Sequence, residues 1–355
     1  MAENLNPVGM AVIGYGGMGK GHHVDHIQKT LGDYFRITGV FDSCEVRRQF
    51  ANENGVHAYE SREALLRDPA AELVVVATPN DVHEEIVIDA LRHGKHVICE
   101  KPVTLSGASL ERMIAAANKS KTLFTVHQNR RWDGDYLTAK KLIESNTLGR
   151  VFNIESRVHG SRGVPGDWRA LKAYGGGMVL DWGIHMLDQM LQLMRGRRLL
   201  SLYAQMTTVT CDEVDDGFRV LCTFEGDVTF MVEILTSNFI SLPRWYILGE
   251  NGSAEFDWNR DGKIVKVSDW ENRESVPVQL GVGITKTMAP RTAETIQSSP
   301  IPKVDGAWSA YYENIFDVIR NGAQPVVTHD EQRRLIRLVE AIFESGRTNR
   351  VVEVE

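Results

Sequence analysis

Short apolar runs alternate with helical periodicity over the first 128 residues. Runs of aliphatic and β-branched residues without polar interruption are typical of strands buried on both faces of a sheet. Repeated strand–helix–strand units therefore predict an α/β fold, with a parallel sheet covered by helices on both sides. The predicted strands are residues 10–13, 35–41, 73–77, 96–99 and 123–127, and the predicted helices are 20–30, 45–54, 83–92 and 106–119.

From about residue 129 the pattern changes to alternation of period two. Clusters of such strands without helices between them predict an α+β unit with an open, mostly antiparallel sheet. We therefore predict two domains, 1–128 and 129–355, with the last helices packing back towards the first domain. Residues 259–305 are polar and are predicted to be irregular. The predicted strands are 151–159, 201–210, 218–224, 228–235 and 245–248, and the predicted helices are 135–145, 178–193, 307–321 and 329–345.

Composition excludes several classes of protein. The chain of 355 residues carries a formal charge of −7 and no long basic run, which argues against nucleic acid or an anionic membrane as a partner. No apolar stretch approaches the roughly 18 residues that a spanning helix needs. The 4 cysteines are far apart and form no CxxC pair, so neither a disulfide framework nor structural zinc is expected. Without a recognisable signal sequence, the chain is predicted to be cytoplasmic.

A glycine-rich motif, Gly14-Tyr15-Gly16-Gly17-Met18-Gly19, follows the first strand and opens a helix. Glycines at this spacing allow a tight turn and a close approach of the backbone to a pyrophosphate, which the helix N-terminus attracts. Asp42 ends the second strand, where a carboxylate hydrogen-bonds an adenosine ribose and repels a 2′-phosphate. The motif predicts a dinucleotide site that prefers NAD to NADP.

Two further segments carry groups suited to proton transfer. Lys101, in Glu100-Lys101-Pro102 after the fourth strand, either polarises a hydroxyl or forms a structural ion pair with an acid. Asp181 and His185 are four positions apart on a predicted helix and so share a face, with Asp188 a turn further on. The pair serves either proton transfer or helix structure alone, and the glycines before it favour proton transfer.

Weaker signals have simpler interpretations. His22, His23 and His26 follow the glycine loop, but no cysteine or acid cluster accompanies them, so no metal site is predicted. Cys99 is expected to be buried and inert. The pair Trp168-Arg169 either contacts the cofactor or anchors the surface. Four late residues can reach a substrate but more simply belong to a solvated loop and a packed helix: Lys286, Arg291, Tyr311 and Tyr312.

Taken together, these motifs resemble the glucose–fructose oxidoreductase, inositol dehydrogenase and rhizopine-catabolism family (Gfo/Idh/MocA). The resemblance rests on the glycine loop, Thr78-Pro79-Asn80, HGKHVICEKP, the NRRW segment at residues 129–132, Trp168-Arg169 and GGGMVLDWGIHMLD, and it runs nearly end to end. It implies a Rossmann domain, a second domain whose open sheet makes oligomer contacts, and hydride transfer on sugars or cyclic polyols. A homo-oligomer, a dimer or tetramer or larger, is therefore expected.

The resemblance also assigns residues. Those implied in catalysis are Lys101, Asp181 and His185. Those implied in cofactor binding are Gly14, Gly16, Gly17, Met18, Gly19, Asp42, Thr78, Asn80, His83, Glu100, Lys101, Asn129, Trp168 and Arg169. Those implied in substrate binding are Lys101, Arg130, Trp132, Asp181 and His185.

The expected reaction is NAD-dependent oxidation of a secondary ring hydroxyl, with C3 of a glucoside as the predicted position. Residues 129–136 also resemble scyllo-inositol dehydrogenases, so an inositol is the alternative substrate. Two other hypotheses are a glycoside-processing enzyme that recycles bound NAD and a non-catalytic dinucleotide sensor. Asp181 is expected to orient His185 or a neighbouring hydroxyl, and Lys101 to stabilise the developing alkoxide. The sequence leaves open whether Lys101 or His185 is the base.

Overall fold

The computed structural model describes residues 6–269 and 291–354, which form two sheets with helices packed on them. The first sheet contains five parallel strands in the order β2-β1-β3-β4-β5. Every residue of β3 is fully buried, as its uninterrupted LVVV run predicts. These strands are β1 (Val8–Ile13), β2 (Phe35–Phe41), β3 (Leu73–Val76), β4 (His96–Cys99) and β5 (Phe124–Val126).

The helices of this half lie between the strands. One of them, α3, follows an N-cap at Ser61, whose side chain accepts a hydrogen bond from the Ala64 amide, and the hydrophobic pattern did not predict it. Its 6 residues are too few for helical periodicity to register. The helices are α1 (His26–Thr30), α2 (Glu45–Glu53), α3 (Arg62–Arg67), α4 (His83–Arg92) and α5 (Gly107–Ser120).

The position of β1 determines where a ligand can bind in this half. From β1 the chain passes to β2 on one side and later to β3 on the other, so the connections leave in opposite directions. Such a switch point opens a crevice beyond the carboxyl ends of the two strands. The glycine loop follows β1 and Thr78-Pro79-Asn80 follows β3, so both segments lie at this crevice.

The second sheet contains nine strands among the described residues. Its order is β13-β12-β11-β10-β6-β9-β8-β7-β14, and it is antiparallel except for the parallel pair β6 and β9. The strands are β6 (Val151–His159), β7 (Leu199–Thr207), β8 (Gly217–Phe224), β9 (Val228–Leu235), β10 (Trp245–Gly249), β11 (Gly252–Phe256), β12 (Gly262–Val267), β13 (Ile296–Pro300) and β14 (Val352–Glu353). The mostly antiparallel sheet predicted from the sequence is confirmed.

The prediction of an irregular stretch at 259–305 is wrong where the chain is described. Strands β12 and β13 lie within it and pair with each other at the edge of the sheet. Most of their residues are exposed or half-buried, so they lack the apolar alternation that marks a strand in sequence. Tertiary pairing of the backbone outweighs their polar composition.

Four further helices complete the structure. The α8 helix packs on the core of the first sheet, where Tyr312 and Phe316 lie edge-on to Phe35 with ring centroids 5.6 and 6.2 Å away. The α9 helix begins with a capping box at Thr328 and packs mainly on the second core. The four are α6 (Gly134–Glu144), α7 (Ile184–Leu193), α8 (Ser309–Asn321) and α9 (His329–Thr348).

Two helices predicted as continuous α-helices begin with π-helical segments. These are Met18–Asp25 before α1 and Val179–Gly183 before α7, and each follows a glycine-rich loop. A wider turn of this kind changes the direction of the side chains relative to an ideal α-helix. None of the helices within the described residues is long and apolar enough to cross a membrane.

Candidate active site

A cleft of about 780 Å³ lies between the carboxyl edge of the first sheet and the π-helical segment Val179–Gly183. Both halves of the chain supply its walls. Those that the sequence predicted are Gly16, Gly17, Met18, Thr78, Asn80, Glu100, Lys101, Asn129, Arg130, Trp168, Arg169, Asp181 and His185, and the others are His22, Arg47, Ala77, Pro79, Asp167, Trp182 and Trp308.

The glycine loop is shaped to receive a phosphate group. Gly14 has a φ of +99°, and a Cβ there would lie 2.4 Å from the carbonyl oxygen of Ala77, so only glycine fits. Gly19 packs against Gly14 even more closely and likewise does not face the cleft. By contrast, the backbone amides of Gly16 and Gly17 have no acceptor among the described residues and border the cleft. Unpaired amides at a helix start are ready donors for a pyrophosphate.

Asp42 is 5 % exposed and lies directly beneath this loop. Its carboxylate accepts hydrogen bonds from the Tyr15 amide at 2.8 Å and the Cys44 amide at 2.9 Å. It therefore fixes the loop that carries the unpaired amides and does not itself line the cleft. Oδ1 accepts only the Cys44 amide and so keeps a further lone pair for a ribose hydroxyl.

Arg47 borders the same end of the cleft, and the sequence did not single it out. Its Nη1 lies 3.4 Å from Oδ2 of Asp42, and its side chain is about half exposed. The structure thus places a cation beside Asp42, the carboxylate predicted to favour NAD over NADP. A basic residue on the helix after the second strand of a dinucleotide fold is the signal that would have found it.

The segment after β3 joins the two halves of the chain. Asn80 donates from Nδ2 to the carbonyl oxygen of Gly175 at 2.9 Å, which fixes the glycine-rich bend before the π-helical segment. His83, which the resemblance places at the cofactor, is fully buried and bonds the carbonyl oxygens of Thr78 and Pro102, each at 3.0 Å. Burial lowers the pKa of His83, and a neutral ring has one N–H, so it donates to one of these two carbonyl oxygens while its other nitrogen packs against the second.

The carboxylate of Glu100 contacts a buried histidine pair. Its Oε1 lies 2.8 Å from Nε2 of His23 and 2.7 Å from Nδ1 of His127, while Oε2 accepts from the Lys101 amide. Burial opposes its charge, but the two imidazoles outweigh burial and hold the pKa of Glu100 well below its usual range. Tyr312 hydrogen-bonds the other nitrogen of His23.

These three side chains are close enough to be considered as metal ligands. Their candidate ligand atoms lie within 4.8 Å of one another. They already hydrogen-bond at ordinary lengths, and a metal would have to replace those bonds and remove protons from them. His22 and His26, the pair that shares a face in sequence, stand apart from this cluster. We interpret the cluster as a structural support for the Lys101 backbone.

Lys101 and Asp181 meet across the cleft. Nζ of Lys101 lies 3.0 Å from both the main-chain oxygen and Oδ1 of Asp181, and Nε of Arg169 lies 3.5 Å from the same Oδ1. Burial would raise the pKa of the carboxyl, but the two cations lower it. Asp181 makes no hydrogen bond to His185, contrary to the role expected for it. The Lys101 ammonium, two residues beyond β4, pairs with the carboxylate that would otherwise face the histidine one turn along an α-helix.

His185 is 7 % exposed, and its Nδ1 is buried without a hydrogen-bond partner. Burial, followed by the charges of Lys101 and Arg130, lowers its pKa well below 6.5. The ring is therefore neutral at physiological pH. A neutral imidazole can accept a proton from a hydroxyl placed in the cleft.

Arg130 is held by aromatic rings at the cleft wall. Its guanidinium lies 4.4 Å from the ring centroid of Trp182 and 5.9 Å from that of Trp258, and Nη1 bonds Asp133 at 2.8 Å. Trp182 and Trp258 lie 6.0 Å apart. Planar cation–π stacking keeps the guanidinium in place while part of its donor set stays available.

Trp182 and Trp308 line the cleft together with Trp168, although neither of the first two was predicted from the sequence as a site residue. Trp132, which the resemblance places at the substrate, does not line it and packs edge-on to Tyr311 at 5.8 Å. Nε1 of Trp308 donates to Asp133 at 2.8 Å. Trp308 is 176 positions further along the chain than Trp132 and reaches the cleft only in the folded state, so no local pattern points to it.

The remaining candidates are structural or lie outside the site. Asp188 forms a bidentate ion pair with Arg131, with both contacts at 2.7 Å. Tyr311 and Tyr312 are buried in the core, as the simpler interpretation held, and so is Cys99. Arg291 is exposed, and Lys286 lies outside the described residues.

Comparison with known proteins gives a consistent result. Residues 8–128 match the family model described as "Oxidoreductase family, NAD-binding Rossmann fold", and residues 136–255 match the "GFO/IDH/MocA C-terminal domain". The chain is 30% identical over 366 residues to scyllo-inositol 2-dehydrogenase (NADP(+)) of Bacillus subtilis, covering 99% of this chain and 98% of the relative. It is 28% identical to Myo-inositol 2-dehydrogenase of Thermotoga maritima over 64% of each chain.

A solved structure shows the same architecture. An NAD-binding protein from Listeria innocua is 42% identical, covers 99% of this chain and 97% of its own, and superposes with a TM-score of 0.87. The family models together span more than half of the chain, and they fall on the segments that build the glycine loop, the Lys101 turn and the Asp181–His185 segment. The chain therefore belongs to the Gfo/Idh/MocA oxidoreductase family and is an NAD(P)-dependent oxidoreductase with a Rossmann domain.

Proposed function

We propose that this enzyme oxidises a secondary ring hydroxyl of a sugar or glycoside, with C3 of a glucoside as the position oxidised and NAD as the cofactor. The observation that carries the proposal is the convergence of Lys101 and the neutral, buried His185 in one cleft with the nucleotide-binding glycine loop. A ring hydroxyl held between these two side chains meets a donor to its oxygen and an acceptor for its proton.

Lys101 is the group that holds the hydroxyl oxygen. An ammonium has three N–H donors, and Asp181 accepts two of them through its main-chain oxygen and Oδ1. The third is free for a substrate oxygen. A buried cation aimed at an oxygen that gains negative charge stabilises the transition state, and a single donor of this kind is worth about 3–4 kcal/mol.

His185 is the proposed base. Its unpartnered Nδ1 is an acceptor or donor without a role inside the protein, and the depressed pKa keeps the ring unprotonated before reaction. The neighbouring charges of Lys101 and Arg130 add to burial in disfavouring a protonated ring. Asp181 positions Lys101, and Arg169 shares the charge of that carboxylate.

NAD, when bound, supplies the acceptor for the hydride that leaves the carbinol carbon as the ketone forms. The amides of Gly16 and Gly17 are the proposed pyrophosphate donors, and Asp42 is the proposed partner of the adenosine ribose. Because a 2′-phosphate would approach the Asp42 carboxylate, we propose NAD over NADP. Arg47 is the opposing influence, so this preference rests on the balance of two neighbouring charges.

A second candidate function is oxidation of a scyllo- or myo-inositol. The relatives in Bacillus subtilis and Thermotoga maritima carry that activity in their names. An inositol ring offers secondary hydroxyls that the Lys101–His185 pair would treat in the same way. The two candidates differ in whether the ring carries a substituent, which the catalytic groups alone do not distinguish.

The experiment is NADH formation followed by absorbance, with NAD and NADP in parallel and a panel of inositols, free sugars and methyl and aryl glucosides. A signal with NAD and glucosides supports the proposal, with the position of the ketone then read by NMR. A signal confined to inositols selects the second candidate. No signal from protein that retains NAD through purification favours a glycoside-processing enzyme that recycles the cofactor, and unchanged substrates throughout favour a dinucleotide sensor.

The cellular location and the oligomeric state of the enzyme stay predictions. We propose that it works in the cytoplasm as a homo-oligomer on small sugars or polyols, with the exposed face of the nine-stranded sheet as the contact surface. Size-exclusion chromatography with light scattering tests the oligomer.

A further inference from the structure

A second cavity of about 380 Å³ meets the catalytic cleft at Asp181 and Trp182, which line both. We call it the side chamber. Most of its wall is apolar and comes from the ends of β6 and β9, the loop after β6 and the start of the π-helical segment. These residues are Val158, Pro165, Met178, Trp182, Ile234 and Leu235.

Backbone hydrogen bonds hold the walls of the side chamber in place, so the chamber is formed without a ligand. The Gly160 amide donates to the Leu235 carbonyl oxygen at 2.8 Å, and the Gly160 carbonyl oxygen accepts from the Asn238 amide at 2.8 Å. The Gly163 amide donates to the carbonyl oxygen of Thr236 at 3.0 Å. The loop is thus tied to the end of β9, and preformed cavities with apolar walls are the usual form of small-molecule sites.

The rim of the chamber is polar. Ser161 and Arg162 are exposed, and neither side chain has a hydrogen-bond partner within the part of the chain that the structure describes. An apolar wall beside a few free donors suits a ring with hydroxyl or ether substituents. The volume lies within the range of about 300–1,000 Å³ typical of such pockets.

We propose that the side chamber binds the aglycone of a glycoside whose sugar ring is oxidised in the cleft, an aryl group or a second ring attached through the glycosidic oxygen. The shared wall at Asp181 and Trp182 connects the two: a ring hydroxyl at Lys101 leaves a substituent of the same ring close to Asp181. An inositol carries no such substituent and would leave the chamber empty. This inference rests on the proposed oxidation of a glycoside and makes its substrate class specific.

The test compares phenyl and methyl glucosides of the same anomeric configuration. Burial of the phenyl ring in the chamber raises kcat/KM for the phenyl glucoside over the methyl glucoside by about tenfold or more. A ratio near one in the unmodified enzyme overturns the proposal. The ratio is insensitive to the amount of folded enzyme, since both substrates are measured on the same protein.

Gly160→Phe places a phenyl ring at the wall of the chamber and is designed to fill it. A Cβ at Gly160 would meet only the Thr236 Cα, at 4.0 Å, and the position does not require a positive φ. The phenyl-to-methyl ratio is expected to fall towards one. Ser161→Trp, at an exposed residue of the same rim, serves as a second blocking variant. A ratio unchanged in both variants overturns the proposal.

The matched control is Gly166→Phe. Gly166 lies on the same loop, is exposed, has open space around a Cβ and does not line the chamber. It is expected to keep the ratio of the unmodified enzyme. If it lowers the ratio as much as Gly160→Phe does, the effect belongs to the loop and the chamber is not the aglycone site.

Calorimetry in the presence of NAD separates this inference from the proposed function. Phenyl glucoside that binds but is not oxidised, with binding weakened by Gly160→Phe, supports the chamber and overturns the proposed reaction. Oxidation of methyl glucoside with no preference for the phenyl compound supports the reaction and overturns the chamber. Neither binding nor turnover of any glucoside overturns both.

Discussion

Nζ of Lys101 lies 3.0 Å from both oxygens that Asp181 presents to it, one of the main chain and one of the side chain. The contact joins residues 80 positions apart, one after β4 and the other in the π-helical segment before α7. Neither half of the chain contains the proposed catalytic centre alone. The ion pair therefore connects the two walls of the cleft and orients the remaining N–H of Lys101.

Replacing Lys101 is expected to remove most of the activity. Lys101→Met keeps the length of the side chain but removes the cation that would stabilise the developing alkoxide. We expect kcat to fall about 10²–10³-fold, or about 3–4 kcal/mol of transition-state stabilisation. Steady-state kinetics with the substrate found in the panel measure this.

Lys119→Met is the control for that variant, because Lys119 is an exposed lysine of α5 away from the cleft. It should keep kcat within about twofold, as surface substitutions change little. Retention of full kcat by Lys101→Met would remove this residue from the mechanism.

The pH profile reports on His185. The proposed base works only when neutral, and burial lowers its pKa well below 6.5. Activity should stay on its plateau as pH falls through 6.5 and decline only as pH passes through the lowered pKa. His185→Asn should lower kcat and remove that acid limb. A limb centred at or above 6.5 would contradict the assignment.

The contribution of the buried histidines to the unfolding free energy is expected to fall at low pH, as the activity does. Burial lowers the folded-state pKa of His23, His83 and His185, so between that pKa and 6.5 the unfolded chain binds more protons. Their contribution to the unfolding free energy is therefore fully present above about pH 6.5 and is lost as pH falls below it. Burial raises the pKa of Asp215 to about 7, which acts in the opposite direction because the folded chain then binds the extra proton. Urea unfolding at pH 7.5 and 5.5 is therefore compared between the unmodified chain and His83→Gln, and the same pH dependence in both would contradict the contribution of His83.

Cofactor choice depends on Asp42 and Arg47. Asp42→Ser removes the carboxylate but keeps a hydroxyl for the Tyr15 amide, and the Arg47 guanidinium is then free to meet a 2′-phosphate. We expect kcat/KM for NADP to rise at least about tenfold, equivalent to about 1.4 kcal/mol, while that for NAD falls. Adding Arg47→Ala should cancel the gain with NADP. An unchanged NAD-to-NADP ratio in Asp42→Ser would show that selection lies elsewhere.

The buried Glu100 cluster makes a prediction about stability. Glu100→Gln replaces one acceptor by an amide donor that faces the hydrogen-bond donors of His23 and His127. We expect the unfolding free energy to fall by about 1–3 kcal/mol. Chemical denaturation provides the measurement. Glu111→Gln is the comparison, since Glu111 is on the surface, where solvent screens its pair with Arg333, and its replacement should change the unfolding free energy little. Equal losses in both variants would show that Glu100 has no special structural role.

Local sequence pattern predicts the strands and helices with strong periodicity. The strands at residues 35–41, 96–99, 151–159 and 228–235 occur with the predicted bounds, as does α4. Each buries an uninterrupted or alternating apolar face. The short α3 and the polar edge strands β12 and β13 were missed, because their formation depends on a cap or on pairing with a neighbour.

In the candidate site, too, local sequence pattern predicts some features and tertiary contacts decide the others. Of the groups named in the sequence, Lys101, Asp181 and His185 do line one cleft, but Asp181 pairs with the lysine and not with the histidine. His83 and Trp132 pack behind the walls of the cleft. Arg47 and Trp308 line the cleft, although neither was predicted from the sequence. These outcomes depend on which side of a loop faces the cleft, and no local pattern encodes that.

The sequence by itself determined the glycine loop, the acidic residue at the end of the second strand and the alternation of strands and helices in the first half, because steric limits and hydrophobic burial act on neighbours along the chain. Only the tertiary structure decided which charges are paired, how far the pKa of His185 is lowered and where a second cavity meets the cleft. Burial and electrostatic interactions act through space, and residues 80 or more positions apart become neighbours only when both halves have folded and packed.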